Sequence, residues 1–242
     1  MKTSFINIFG LLILALPQHL VAATTTMELT YSVFSNTAVN SYPTVNFGTG
    51  TPAKFTFAYD SAMSPYFTGK VITDSNGVPI FGSGGIMYDT SVPPGSPMSN
   101  ESRYNIIGNV TLEIDSHIWT GLSFNLIIYN NYPTVTPTDG LFFEFNLTPS
   151  SPFTEPLHEV QLSFSSNLGP LSLIKNTALP SQNSDVDGND VESANFGLRP
   201  AAGGWVINSG SLSSISITTI PELSSFLLIW ISPAFAVFRR TR

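Results

Sequence analysis

The sequence predicts an all-β protein: an antiparallel β-sandwich of jelly-roll type, flanked by an N-terminal signal peptide and a C-terminal hydrophobic helix. Three observations point there. Apolar residues between 27 and 219 recur mostly at period two, which sends alternate side chains to opposite faces of a strand. Gly, Pro, Asn and Asp cluster between these runs, as turns require. No amphipathic stretch of helical length separates them, which argues against a parallel α/β sheet and for antiparallel strands packed on a shared core.

Taken in order, Phe55, Phe57 and Tyr59 alternate with Lys54, Thr56 and Ala58, the first clear strand. A second candidate runs through Leu112, Ile114 and Ile118 on one face, with Glu113, Asp115 and His117 on the other. Leu122 to Tyr129, Leu141 to Leu147, Val160 to Phe164, Leu171 to Ile174 and Leu212 to Ile220 complete the set. The segment from Asp89 to Ser102 holds Pro93, Pro94 and Pro97, which cannot donate to a ladder, and reads as a surface loop. A second long loop spans Pro180 to Ser193. Phe81-Gly82-Ser83-Gly84-Gly85 lacks the lysine and following helix of a phosphate loop and reads as a flexible turn.

With 42% apolar and 12% aromatic residues, the chain of 242 residues can fill a core. Only 10% of residues are charged, against about a quarter in a typical soluble domain, and Ser, Thr, Asn, Gly and Pro take the polar positions. That is the texture of an exported β-rich protein. The absence of cysteine removes disulfides, thiolate metal sites and thiol nucleophiles from consideration. Between residues 24 and 219 five cations face fifteen carboxylates. Such an acidic body, with no basic stripe, repels phosphate backbones and argues against nucleic-acid binding.

The two ends differ from the body. Lys2, the uncharged apolar run Phe5 to Leu16, and small residues at Val21-Ala22-Ala23 have the order of a secretory signal, which predicts a segment 1–23 cut after Ala23 by signal peptidase. The body then covers 24–219. At the far end, 220–242, Leu223 to Phe238 carries no charge and is followed by Arg239, Arg240 and Arg242. As a helix that run reaches roughly 24 Å, short of the ~30 Å hydrocarbon core, although arginines can snorkel to the interface. Arginines retained on the cytoplasmic side would hold the chain in the inner membrane during export.

Pro221-Glu222, the apolar run and the terminal arginines, on a chain with a signal peptide, resemble the PEP-CTERM sorting signal. Leu223 stands where the family pattern has a second proline. The body is similar to family members in Ala53-Lys54-Phe55-Thr56-Phe57-Ala58-Tyr59-Asp60, Ala178-Leu179-Pro180 and Gly210-Ser211-Leu212-Ser213-Ser214-Ile215. The resemblance implies recognition and removal of the tail by an exosortase-like membrane protease, in bacteria that make exopolysaccharide. Export, transient anchoring in the inner membrane through the C-terminal helix, and release to the cell surface or extracellular matrix follow from it. A permanent tail anchor is the competing expectation.

Within the body, candidate sites are few. Glu113, Asp115 and His117 at every second position offer two carboxylates and an imidazole to a metal or a sugar, with Trp119 continuing their face as a stacking surface. A solvated outer strand face explains the same pattern. Asp185, Asp187, Asn189 and Asp190 around Gly188 are oxygen ligands of the kind Ca²⁺ takes. Their spacing does not fit an EF-hand, and an acidic turn explains them as well. No G-x-S-x-G motif supplies a nucleophile, and no catalytic residues are predicted. Two function classes stand: a non-enzymatic surface or matrix protein associated with polysaccharide, and a secreted polysaccharide hydrolase.

Overall fold

The computed structural model describes residues 23–38, 50–93, 95–96, 98–114, 117–133, 138–150, 157–166, 173–188, 191, 193–200 and 206–221. They form twelve strands: β1 (Ala23–Ala38), β2 (Pro52–Asp60), β3 (Phe67–Val71), β4 (Phe81–Gly82), β5 (Gly85–Ile86), β6 (Tyr88–Asp89), β7 (Glu101–Ile114), β8 (His117–Tyr132), β9 (Thr138–Ser150), β10 (Leu157–Ser166), β11 (Ser193–Pro200) and β12 (Val206–Pro221). Thr24–Ile220 is one compact unit.

The strands make a curled antiparallel sheet in the order β2-β1-β12-β11-β10-β9-β8-β7, and β2 also pairs with β7. Eight strands thus close into a ring in which sequence neighbours are space neighbours, an up-and-down barrel. Between β2 and β7 the chain makes an excursion, residues 61–100, that carries β3 to β6. Of these, β3 lies on the edge of β7, β6 lies on β3, and β4–β5 forms a separate hairpin. Closure rests on pairs such as Phe55 with Leu112 and Phe57 with Val110.

The all-β, antiparallel expectation is what the structure shows, but these pairings do not draw two jelly-roll sheets. Alternation records only which side chains face inward, and the inner faces of a sandwich and a barrel read alike. The expected signal peptide, 1–23, and C-terminal segment, 220–242, lie outside the described residues, apart from Ala23 at the start of β1 and Ile220 and Pro221 at the end of β12. Leu171 to Ile174 does not form a strand in its described part, where Ile174 makes an isolated bridge with Val186. The loop placed at 89–102 ends sooner, because Glu101 and Ser102 already pair with Tyr129 and Ile128 of β8.

Aromatic rings fill the barrel. Tyr31, Phe55, Phe57, Tyr59, Phe124, Phe143, Phe145, Phe164 and Phe196 are all buried, and Phe57 stacks on Phe143 with ring centroids 4.5 Å apart. Phe55 meets Phe196 edge-on at 5.5 Å. Such pairs add about 0.5–1.5 kcal/mol each beyond the area they bury. Two glycines let backbones approach: a Cβ on Gly108 would stand 2.1 Å from the Ala58 carbonyl oxygen, and one on Gly121 2.6 Å from that of Asn146.

Candidate functional site

One end of the barrel gathers the buried polar side chains of the described residues: Thr25, Ser99, Glu101, Ser102, Asn130, Asp139, Ser166 and Thr177. The ends of β2, β8, β10 and β12 meet the starts of β1, β7, β9 and β11 there, as Thr24 opposite Asp60 and the Thr25–Thr219 hydroxyl contact of 2.9 Å show. Residues 173–188, between β10 and β11, fold over this end as a plug that buries Leu173, Ile174, Leu179 and Val186. Its carbonyls accept from the barrel's tyrosines: Tyr59 donates to Pro180 and Tyr104 to Thr177, both at 2.8 Å. Burial raises both phenols above the usual tyrosine range, that of Tyr104 to about 12, so each stays a neutral donor. Asp139, almost fully buried at the start of β9, accepts the Asn131 amide at 2.6 Å and the Ile174 amide at 3.4 Å.

A second group fastens the excursion to the barrel wall. Glu101 and Arg103 point outward from β7, two positions apart, yet the Glu101 side chain is 1% exposed because the excursion covers it. Its carboxylate accepts from Arg103 Nε and, at 2.6 Å, from the Tyr88 hydroxyl of β6. Tyr88 and Tyr132 hydroxyls stand 3.0 Å apart, and the Arg103 guanidinium lies over the Phe67 ring at 5.1 Å. Burial, with Glu101 as acceptor, pushes the Tyr88 phenol far above its ordinary range. Asn100 completes the clamp, accepting from the Val71 amide and donating to the Asn130 and Asn131 carbonyls. A pocket of about 180 Å³ within the plug is lined by Ile174, Lys175, Leu179 and Asp185, among others.

Sequence reasoning missed this clamp by reading Glu101 as loop. The Glu-x-Arg spacing, which places both on one strand face, is the signal that could have found it.

The predicted residues fare differently. The chain reverses between Ile114 and His117, so Glu113 pairs with Ile118 and Leu112 with Trp119 across a hairpin. Glu113 is exposed on the outer wall, whereas Trp119 is buried inside. His117 sits opposite Ile114, its Nδ1 3.2 Å from the Ile114 oxygen and its ring 6.1 Å from that of Trp119. Glu113 therefore does not share a face with His117 and Trp119, because a reversal within the supposed strand resets the period; Asp115 lies outside the described residues. At the capped end, the Asp185 carboxylate accepts from Ser181 N and Oγ and from Gln182 N and Nε2. Partial burial raises its pKa, but these hydrogen bonds outweigh that and hold it below the ordinary carboxylate range. Asp187 is exposed and gives its amide to the Leu173 carbonyl; Asn189 and Asp190 are outside the described residues. Among the described residues no three His, Cys, Asp or Glu side chains converge as a metal site.

Outside, Thr24, Glu113, Thr120, Asn125, Asn146, Thr148, Ser216 and Thr218 are exposed, and so are the apolar Ile107, Ile118 and Leu122. A membrane-spanning pore has a polar lumen, whereas this interior is filled with aromatic and aliphatic side chains. The fold thus defines a solid, aromatic-filled barrel with a capped end and a clasped excursion. Comparison with known protein families, with characterised proteins and with solved structures finds no match for this chain.

Proposed function

We propose that this chain is an exported, non-enzymatic surface or matrix protein, sorted through its C-terminal tail and associated with extracellular polysaccharide. The observation that carries this reading is the tail itself: Pro221-Glu222, the uncharged run Leu223 to Phe238, and Arg239, Arg240 and Arg242. Signal peptidase removes 1–23, the arginines pause export in the inner membrane, and an exosortase-like protease then releases the barrel. A core packed with side chains and a wall of Thr, Ser and Asn suit a module that endures outside the cell. The acidic loop around Asp185 and Asp187 is the place where Ca²⁺ would bind if the body takes a cation.

Intact-mass measurement of the protein secreted by its own host tests the reading. The expected mass lacks both 1–23 and the arginine-bearing tail. A mature chain that still ends at Arg242 overturns processing and makes the tail a permanent anchor.

A further inference from the structure

Among the described residues, ten large apolar side chains are exposed, and six of them, Tyr66, Val78, Ile80, Phe81, Met87 and Met98, belong to the excursion. Phe81 is 69% exposed, with Val78 at 55% and Met87 at 44%. Backbone pairing does not cover them: Ile72 and Met87 join through their backbones, as do Ile80 and Met87, while the Ile80 and Met87 side chains stay exposed. The other four, Ile107, Ile118, Leu122 and Ile220, are spread over three barrel strands, and single exposed apolar residues are ordinary; six on one forty-residue arm are a concentration. Charge on residues 61–100 is sparse, with only Lys70, Asp74 and Asp89.

Topology says what lies next to this arm. The excursion leaves β2 at Asp60 and rejoins at Glu101, both at the capped end. β12 arrives at the same end, where Thr219 donates to the Ser181 carbonyl and Ile217 to Asn183 Oδ1. Ile220, the last residue before Pro221, is 63% exposed there. Only Glu222 separates Pro221 from the apolar run that begins at Leu223. Two residues of extended chain reach about 7 Å, so a tail seated in a bilayer holds this end of the barrel against the lipid surface.

We propose that the excursion is a membrane-contact arm, with Val78, Ile80, Phe81 and Met87 entering the interfacial layer of the bilayer while the tail is anchored. This rests on the reading of Leu223 to Phe238 as a membrane segment. Insertion is apolar in character, because an arm with one lysine and two aspartates has no cationic surface for anionic headgroups. The arm steadies a short, proline-interrupted span and orients the barrel above the membrane until the tail is cut.

Since the chain has no cysteine, single labels can be placed at will. Chain 24–242, as signal cleavage leaves it, bearing Phe81→Cys or, at the opposite end of the barrel, Glu113→Cys, carries a fluorophore in phosphatidylcholine vesicles, with iodide on both sides of the bilayer. Quenching at position 81 is expected to fall several-fold relative to the lipid-free chain, and quenching at 113 to stay unchanged, with little dependence on salt. A vesicle-bound chain whose position 81 remains as quenchable as 113 overturns the arm and leaves the tail reading intact. Chain that does not float with vesicles overturns both. Protection at 81 that appears without lipid and grows with protein concentration assigns the surface to a second copy instead.

Discussion

Three tyrosines face inward along the barrel, and the way they are satisfied separates the capped end from the opposite one. Tyr59 and Tyr104, under the plug, each donate to a plug carbonyl at 2.8 Å. Tyr31, on β1 opposite Ala53 and so toward the other end, packs edge-on against Phe55 and Phe196, and its hydroxyl has no partner among the described residues. Burial alone pushes its phenol far above the usual range. The difference teaches that the plug does more than cover apolar rings. It brings unpaired loop carbonyls to the barrel rim, where buried donors need them, and so turns a desolvation penalty into a hydrogen bond.

Between the two ends stands Gly108, and the largest effect is expected there. β7 gives its edge to β3 at Glu101–Arg103 and to β2 at Val110–Ile114, and the shift of register between Ile107 and Val110 marks the changeover. A methyl at 108 meets the Ala58 backbone, which cannot step aside without opening the seam that closes the ring. Gly108→Ala is expected to lower stability by about 3 kcal/mol or more in urea unfolding, or to leave no folded barrel. Gly84→Ala, with open space around it and an ordinary backbone, is the control and should change little. Equal stability of the two variants would break the claim that this seam separates the capped half from the rest.

Much of the interior was legible in the sequence, and for a definite reason. Phe55 and Phe57, Phe143 and Phe145, and Leu162 and Phe164 flank the polar Thr56, Glu144 and Ser163, and alternation is a local property that survives any tertiary arrangement. β1 was harder to see because Ala23-Thr24-Thr25-Thr26 offers little apolar contrast before Met27. The hairpin at 114–117 was hidden because residues before and after it all suit a strand, so a reversal looked like continuation. Closure of the ring could not be read at all: it depends on β2 meeting β7 across a forty-residue excursion, and nothing local encodes that pairing. The clamp of Tyr88, Glu101, Arg103 and Tyr132 was missed for the same reason, since its members come from β6, β7 and β8.

That clamp sharpens the comparison at intermediate cost. Glu101→Ala removes a buried acceptor and leaves the Tyr88 hydroxyl and Arg103 Nε without it, which is expected to lower stability by about 2–3 kcal/mol. The loss stays below that of a fully buried pair because Arg103 is 40% exposed and can turn to water. Tyr88→Phe keeps the ring against Phe67 and loses the hydroxyl's contacts with Glu101 and Tyr132, about 1–2 kcal/mol. Limited proteolysis distinguishes a local from a global effect: in Glu101→Ala the first cuts should fall within 61–100 while the barrel stays whole. Simultaneous loss of barrel and excursion would mean that the clamp supports the ring itself.

The smallest effect tests the other side of the comparison. Tyr31→Phe removes a hydroxyl that gains nothing from its surroundings, leaves the ring contacts with Phe55 and Phe196 in place, and creates no cavity larger than one oxygen atom. Desolvation without a partner opposes folding, so its removal is expected to leave stability unchanged or raise it by about 1 kcal/mol. Tyr104→Phe, the same chemical change under the plug, leaves the Thr177 carbonyl without its donor and should lower stability by about 1 kcal/mol. The sign of the difference between these two variants carries the argument, because ring size, burial and strand context are matched. If Tyr31→Phe is the more damaging of the pair, its hydroxyl has a partner contributed from outside the described strands, and the contrast between the ends disappears.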